Sequence, residues 1–450
     1  MLAESAAASR RVPTRVRYLL MLAVAIALVG ARAPGASYAN RGTGGLTSEG
    51  PSPTFADIEP TVPGQEDQSE FMIGSIAVGL VLVESRDGPL NWTDTEENQT
   101  VEGVRDALRW WGSQEPRAHL GFELFVRTQV LVSIEPTHRP ISAAPGWISE
   151  ALADLGFTRY PSDPILRARD FNEDLRRNYG TDWAFTIFVA DSDDSRAGTF
   201  YDGEHAQSLY GGPWIVMSRF SSIAYNSQVY RSVVPAHEMG HVFYATDEYD
   251  SNPPQYSGYL GLPDANGEDS VMNRNTPTVG PATAGQLGWV DSDSDGLLDI
   301  LDVDPIVRVT KMSRNEDGSA EILGYAQIVP LPNRNLLGAR HDLTLARVAS
   351  IQVRTNDGDW EAVTPADGTL GGYRENFEIS LWFRPRGGQA VEIRAVTTYG
   401  NTRVNTTVAG ELESSDAGPA GLVLTSAILV GVGISMSLLA WHRLRRRSRR

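Results

Sequence analysis

The chain has 450 residues, 56 Asp plus Glu against 39 Lys plus Arg, a formal net charge of −17 and no cysteine. That length leaves room for two or three domains, and a 41% hydrophobic composition is enough to fill their cores. An acidic surface repels phosphate backbones, which argues against a nucleic-acid partner; the lack of cysteine excludes thiol catalysis, disulfide frameworks and Cys-ligated zinc, leaving any metal to His, Asp, Glu and water.

At the start, Arg10, Arg11, Arg15 and Arg17 precede the apolar run 18–30, and small residues at Ser37 and Ala39 suit cleavage, so residues 1–39 are predicted to be a signal peptide. Residues 40–68, rich in Gly, Pro, Ser and acid and without periodicity, read as a disordered linker. "SIAVGLVLVES" (75–85) has the continuous branched apolar character of a buried strand. The helix predicted over 93–112 opens on a capping box from Thr93 and Glu96 and closes on Gly112. A strand at 120–134, helices at 147–156 and 164–178, and strands at 184–190 and 213–218 follow. The last of these is expected to offer an edge to an extended peptide. "DSDD" at 191–194 reads as a solvated loop, with a second calcium site as the alternative.

The next helix is predicted to carry the chemistry. Ser232 is its expected N-cap, with Pro235 in the first turn, where a missing N–H costs little. His237 and His241 stand four residues apart, so on a helix both imidazoles can reach one ion about 2.0 to 2.1 Å away. Glu238 is rotated off that pair and left free to act as general base on a bound water, and Gly240 permits a close backbone approach. The same HExxH string also occurs on helices that bind nothing.

Asp247 follows His241 by six residues, and Met272 lies in "EDSVMNR" further on. Over about 70–290 the chain here resembles the metzincin zinc endopeptidases, whose motif is HExxHxxGxxH/D with a later Met-turn. "HEMGH" followed by "DEY" is also similar to the IgA-peptidase-like metallopeptidases. The resemblance implies an α/β (α+β) catalytic domain over 69–290, with His237, His241 and Asp247 as zinc ligands, Glu238 as general base and Met272 as an apolar floor. The glycine of the motif is Tyr244 here, and a left-handed non-glycine residue is strained by about 1 kcal/mol or more. Glu248 is therefore the alternative third ligand, and a gluzincin arrangement with a later Glu is another. Tyr249 and His205 are candidates for a second electrophile.

"DSDSDGLLDILD" (291–302) spaces Asp291, Asp293, Asp295, Asp299 and Asp302 around Gly296, with the Leu297 carbonyl as a further oxygen, a pattern suited to calcium. It resembles thrombospondin type-3 or dockerin-type loops, with a solvated acidic linker as the alternative, and calcium is expected to brace the segment 291–305. From 306 to 410 short alternating runs, one hairpin marked by "NDG", predict an all-β sandwich resembling Ig-like modules. A stalk at 411–420, an uncharged stretch at 421–441 and the Arg-rich cytoplasmic tail 442–450 predict a single C-terminal transmembrane helix with residues 40–420 outside the cell, a processed sorting tail being the alternative to a permanent anchor. Sequons at Asn91, Asn98 and Asn405 fit an exterior location. The expected function is a membrane-anchored zinc metalloendopeptidase acting on protein or peptide substrates; a non-catalytic adhesion or scaffold protein is the alternative.

Overall fold

The computed structural model describes residues 63–408 except 88–91, 193–197, 220–232, 251–252, 275, 316, 318, 339–340 and 383–389. The signal segment, most of the linker, Ser232, Asn91, Asp193, Asp194, the stalk, the 421–441 stretch and the basic tail lie outside the described residues.

Strand β1 (Ser75–Ser85) is buried along almost its whole length, because both faces of the sheet it centres are covered. It pairs in parallel with β2 (Gly121–Val132) and with β3 (Trp183–Ala190), and β3 pairs in parallel with β5 (Trp214–Ser218). The short β4 (Ala206–Ser208) closes the sheet antiparallel to β5, giving the order β2-β1-β3-β5-β4. Side chains alternate across a strand, so Ile76, Val78, Leu80 and Leu82 enter one core while Ala77, Val81 and Val83 enter the other. The first core is roofed by α1 (Asp94–Gln114) and α4 (Val233–Val242), the second by α2 (Ala144–Asp154) and α3 (Pro164–Tyr179). Each fully buried large aliphatic is worth about 1.5 to 3 kcal/mol, so this double cover gives α4 a rigid bed. The Trp111 indole N–H adds a directional tie from α1, donating to the Ala236 carbonyl of α4 at 3.1 Å.

Two short strands, β6 (Tyr256–Ser257) and β7 (Leu262–Pro263), pair antiparallel before the C-terminal unit, which has two antiparallel sheets. Strands β8 (Pro305–Arg314), β9 (Ser319–Ile328) and β12 (Arg374–Trp382) form one; β10 (Val348–Thr355), β11 (Glu361–Ala362), β13 (Ala390–Thr397) and β14 (Thr402–Val408) form the other. Val307, Ile322, Ile351, Phe377 and Ile393 are among the residues of their shared core. The "NDG" turn is made as its residues demand, with Asn356 and Asp357 both at positive φ. The loop between β9 and β10 reaches back to the first unit: the Tyr259 hydroxyl lies 2.6 Å from the Leu331 carbonyl oxygen and accepts from the Leu343 N–H at 2.7 Å.

Several expectations are corrected. The α/β (α+β) class with a single C-terminal transmembrane helix does not describe this molecule: fourteen strands and few helices make the described residues mostly β. No helix among them is long and apolar enough to cross a membrane, which stands against the single-pass membrane assignment. The linker does not extend to residue 68. Its last residues are buried, with Gln68 accepting from the Asn172 amide at 3.1 Å and Asp67 paired with His341 at 2.6 Å. Helix α1 does open on the Thr93 and Glu96 capping box but runs past Gly112, ending where Glu115 and Pro116 start a 3-10 turn.

Carboxylates are buried where the two units meet. Glu70, 1% exposed, accepts from the Asn333 amide at 3.2 Å. Burial first and the Asp67 carboxylate second push its carboxyl from 4.5 up to about 8, against the Asn333 bond and Arg169. A folded-state pKa above the unfolded one means that the stabilising contribution is fully present below about 4.5 and is lost as pH rises through about 8. At about 1.36 kcal/mol per pKa unit the loss is on the order of 3 to 5 kcal/mol. Glu70→Gln is expected to flatten the decline in unfolding free energy over that window. Urea titrations of both proteins on either side of it check this, and equal pH dependence would contradict the assignment.

Candidate metal centre

Helix α4 carries the HExxH string in a buried setting: His237, Glu238 and His241 are each no more than 7% exposed. Val233, Ala236, Met239 and Val242 hold the helix on the first core. The helix ends in a Schellman turn, with the Ala245 N–H donating to the Gly240 carbonyl and the Tyr244 N–H to the His241 carbonyl, both at 2.9 Å. Tyr244 occupies the position that glycine usually takes and adopts φ 67. The sharp turn is therefore made despite a strain of about 1 to 2 kcal/mol, and the chain doubles back toward the helix.

That reversal brings Asp247 to the histidines. His237 Nε2 and His241 Nε2 are 3.1 Å apart, and Asp247 Oδ1 lies 3.3 and 3.5 Å from them. His237 Nδ1 faces the Val271 carbonyl at 2.8 Å and His241 Nδ1 faces the Ala245 carbonyl at 2.7 Å. A ring nitrogen facing a carbonyl must carry the hydrogen, so each neutral imidazole turns the lone pair of Nε2 toward Asp247. Asp247 Oδ1 is buried and has no hydrogen-bond partner. Three acceptors meeting at one buried point without a donor are costly unless a cation joins them, and His237, His241 and Asp247 form a group that could hold a metal ion.

Protons compete for the same point. Burial disfavours the His241 imidazolium, but the Asp247 carboxylate overrides it and pushes the ring up to about 9. Burial likewise opposes ionisation of Asp247, yet His241 and His237 hold its carboxyl well below the usual carboxylate range.

The floor is built by α5 (Val271–Arg274), which supplies the Val271 carbonyl and the fully buried Met272. A Cβ on Gly240 would lie 2.6 Å from Met272 Sδ, so glycine is what lets helix and floor touch. Glu248 is not turned to the histidines. Its N–H donates to the Met272 carbonyl at 3.0 Å, and its carboxylate accepts from Ser270 and, at 2.9 Å, from Thr283 at the start of α6 (Pro281–Gln286). It ties the Asp247 segment to the floor, and the alternative of Glu248 as a ligand is set aside.

Around this centre stand two residues that the sequence reading missed. Ser208 Oγ donates to Glu238 Oε2 at 2.6 Å. The Tyr210 ring meets His241 edge-on, with centroids 5.1 Å apart, and burial followed by the nearby Asp247 carboxylate keeps the phenol protonated. Both lie at i and i+2 on the stretch entering the "GG" turn, a period-two signal too short to stand out. Of the electrophiles named from sequence, Tyr249 stacks near His237 at 6.5 Å, whereas His205 is exposed ahead of β4. The strand at 214–218 is no edge: β3 and β4 flank it, and among the described residues β4 is the outermost strand.

In the acidic loop, Asp291, Asp293 and Asp295 each place an oxygen within 4.8 Å of the others, a second group that could hold an ion. Asp291 Oδ1 is buried without a partner, while Oδ2 accepts from Arg117 at 2.7 Å and from the Gly296 N–H at 3.1 Å. The carboxylates of Asp299 and Asp302 are not part of that group. Asp299 accepts from the Ser292 N–H at 2.8 Å, Asp302 accepts from the Asn401 amide, and the Leu297 N–H donates to Asp295 at 2.8 Å. Asp191 pairs with Arg219 at 3.2 Å.

No protein-family model and no curated protein matches the chain. Among solved structures, OgpA from Akkermansia muciniphila aligns over 79% of this chain and 96% of that chain at 10% identity, with a TM-score of 0.24. The sulfane dehydrogenase SoxCD from Paracoccus pantotrophus aligns over 23% of each chain at 14% identity and a TM-score of 0.16. An engineered protein aligns over 73% of this chain and 76% of that chain, with a TM-score of 0.15. Likenesses this slight establish no family.

The third position of the centre can be tested directly. Asp247→Asn is expected to lower divalent-metal affinity by more than the roughly 10- to 100-fold typical of a supporting residue. Glu248→Gln is expected to keep the metal stoichiometry but to destabilise the fold by about 1 to 3 kcal/mol, since it puts an N–H among donors. Metal analysis after dialysis, with denaturant titration, reads both; the reverse pattern would make Glu248 the ligand.

Proposed function

We propose that the protein is a zinc-dependent metalloendopeptidase. The observation that carries this reading is the orphaned Asp247 Oδ1 converging with two imidazole lone pairs, beside a Glu238 whose carboxylate is held by Ser208. Two histidines and one carboxylate are donors suited to zinc, and three protein ligands leave a position for water or substrate. The motif resemblance to metzincins supports the same assignment.

Zinc held by His237, His241 and Asp247 would supply Lewis acidity, lowering the pKa of its water toward about 7. Glu238, steadied by Ser208, takes the proton from the attacking water and passes it to the leaving amine. Tyr210 keeps its phenolic proton and is placed beside His241 to donate to the carbonyl oxygen as negative charge builds there. The outer edge of β4, next to Ser208, presents backbone groups on which an extended peptide can add as a further strand.

The acidic loop takes calcium in this reading. Asp291, Asp293 and Asp295 present hard oxygen donors, and Arg117 neutralises only one oxygen of Asp291, leaving the other for the ion. Its role is to brace the join between the two units.

Two experiments test these assignments. Zinc content and peptide hydrolysis are measured for the parent and for Glu238→Ala. The variant is expected to retain zinc and lose about 10²- to 10⁴-fold in kcat; a parent that binds zinc but turns over no peptide would favour a scaffold. Adding calcium to chelator-treated protein is expected to raise thermal stability, by about 2.7 kcal/mol at a hundred times Kd. Asp291→Asn with Asp293→Asn should abolish that gain, and a calcium response unchanged in the double variant would count against the loop.

A further inference from the structure

Tyr244 raises a question that the metal centre alone does not answer. A glycine would make the left-handed turn after α4 without strain, yet the chain places there a large aromatic residue that is only 5% exposed. The backbone bonds of the turn would be made by glycine as well, so what distinguishes tyrosine here is what its ring touches.

Two glycines lie there. A Cβ built on Gly211 would sit 2.2 Å from Tyr244 Oη, and one built on Gly338 would sit 2.1 Å from the same atom. The ring tip thus rests directly on the backbone of two separate segments. Gly211 belongs to the turn between β4 and β5, and its N–H donates to the carbonyl of His241 at 3.2 Å. Gly338 belongs to the β9–β10 loop of the C-terminal unit. That loop is itself held firmly: the Arg334 N–H donates to the Tyr259 carbonyl at 2.8 Å, and the Asn335 side chain accepts from the Leu337 N–H at 3.0 Å. At the near end, the Tyr244 carbonyl accepts from Ser257 Oγ at 2.7 Å.

We infer that Tyr244 is a positioning residue for the metal centre, and that through it the centre's geometry depends on Gly338 of the C-terminal unit. The ring acts as a lever between the two units. Asp247 lies three residues beyond Tyr244, so the direction in which the chain leaves the turn decides where Oδ1 arrives relative to the two imidazoles. Fixing the ring against Gly211 and Gly338 fixes that direction. In this view the C-terminal unit is part of what builds the centre and not a separate module. The inference rests on the metal reading of His237, His241 and Asp247.

A double-mutant cycle tests it, using full-length metal-free protein. Zinc affinity is read by competition with a chromophoric chelator, and denaturant unfolding is read in parallel without metal. Gly338→Ala is expected to lower zinc affinity about tenfold or more, because the new methyl displaces the ring, and to lower it less than about twofold in the Tyr244→Gly background, where no ring remains to displace. Equal losses in both backgrounds, or lowered unfolding stability with unchanged zinc affinity, overturn the inference. Tyr244→Gly alone provides a second reading should Gly338→Ala not fold. It relieves the backbone strain yet is expected to bind zinc more weakly, and equal or tighter binding overturns the lever. A parent protein that takes up no zinc overturns the metal reading itself, whereas zinc uptake without coupling overturns only this inference.

Discussion

An imidazole presents a directed lone pair only when its other nitrogen is held, and both rings here are held by backbone carbonyls. One carbonyl belongs to Val271 on the floor turn; the other belongs to Ala245, just past the helix it serves. Neither is available from the helix carrying the histidines, so the centre requires two separate returns of the chain to the same place. Glu248 makes those returns one unit, since its backbone and carboxylate grip the floor while the residue before it brings a carboxylate oxygen to the two imidazoles. Had its carboxylate been turned inward instead, the floor would lose its anchor as the centre gained a ligand.

Rigidity of this kind is inherited from the sheet. Helix α4 is short and nearly all buried, with no exposed face on which to slide, and the Trp111 indole fixes it along its axis. The same burial intensifies electrostatics around the centre: with little water nearby, Asp247, joined by Glu238, raises His241, and the two histidines lower Asp247 in return. Charge that would be screened on the surface makes this a point that suits a proton or could hold a cation.

How much of this was legible in the sequence follows from the range of the interactions concerned. The spacing of His237 and His241, and the capping box at Thr93, depend on neighbours within a turn of helix, and the structure has both. Asp247 and Met272 were placed through resemblance, and the structure brings Asp247 beside the histidines and Met272 under Gly240. Contacts of longer range were not legible. Nothing local marks Ser208 as the partner of Glu238, because a three-residue strand carries too little pattern. The helix was ended early at Gly112 because glycine is a common stop, whereas Glu115 and Pro116 make the observed one. In the acidic loop, spacing alone grouped Asp299 and Asp302 with the other ligands; Asn401, distant in sequence, claims Asp302.

The Tyr244 turn shows why a motif departure is a poor guide to its consequence. Read alone, a tyrosine at a glycine position argues that the turn changes and that another carboxylate takes over. The strain involved is about 1 to 2 kcal/mol, whereas burying a large aromatic side chain against well-ordered backbone stabilises by more than that. Burial therefore outweighs strain: the turn is kept, and its cost is offset by contacts that the motif does not contain. Glycine is still required nearby, but at Gly211 and Gly338, where the ring presses on backbone and not where the backbone itself turns.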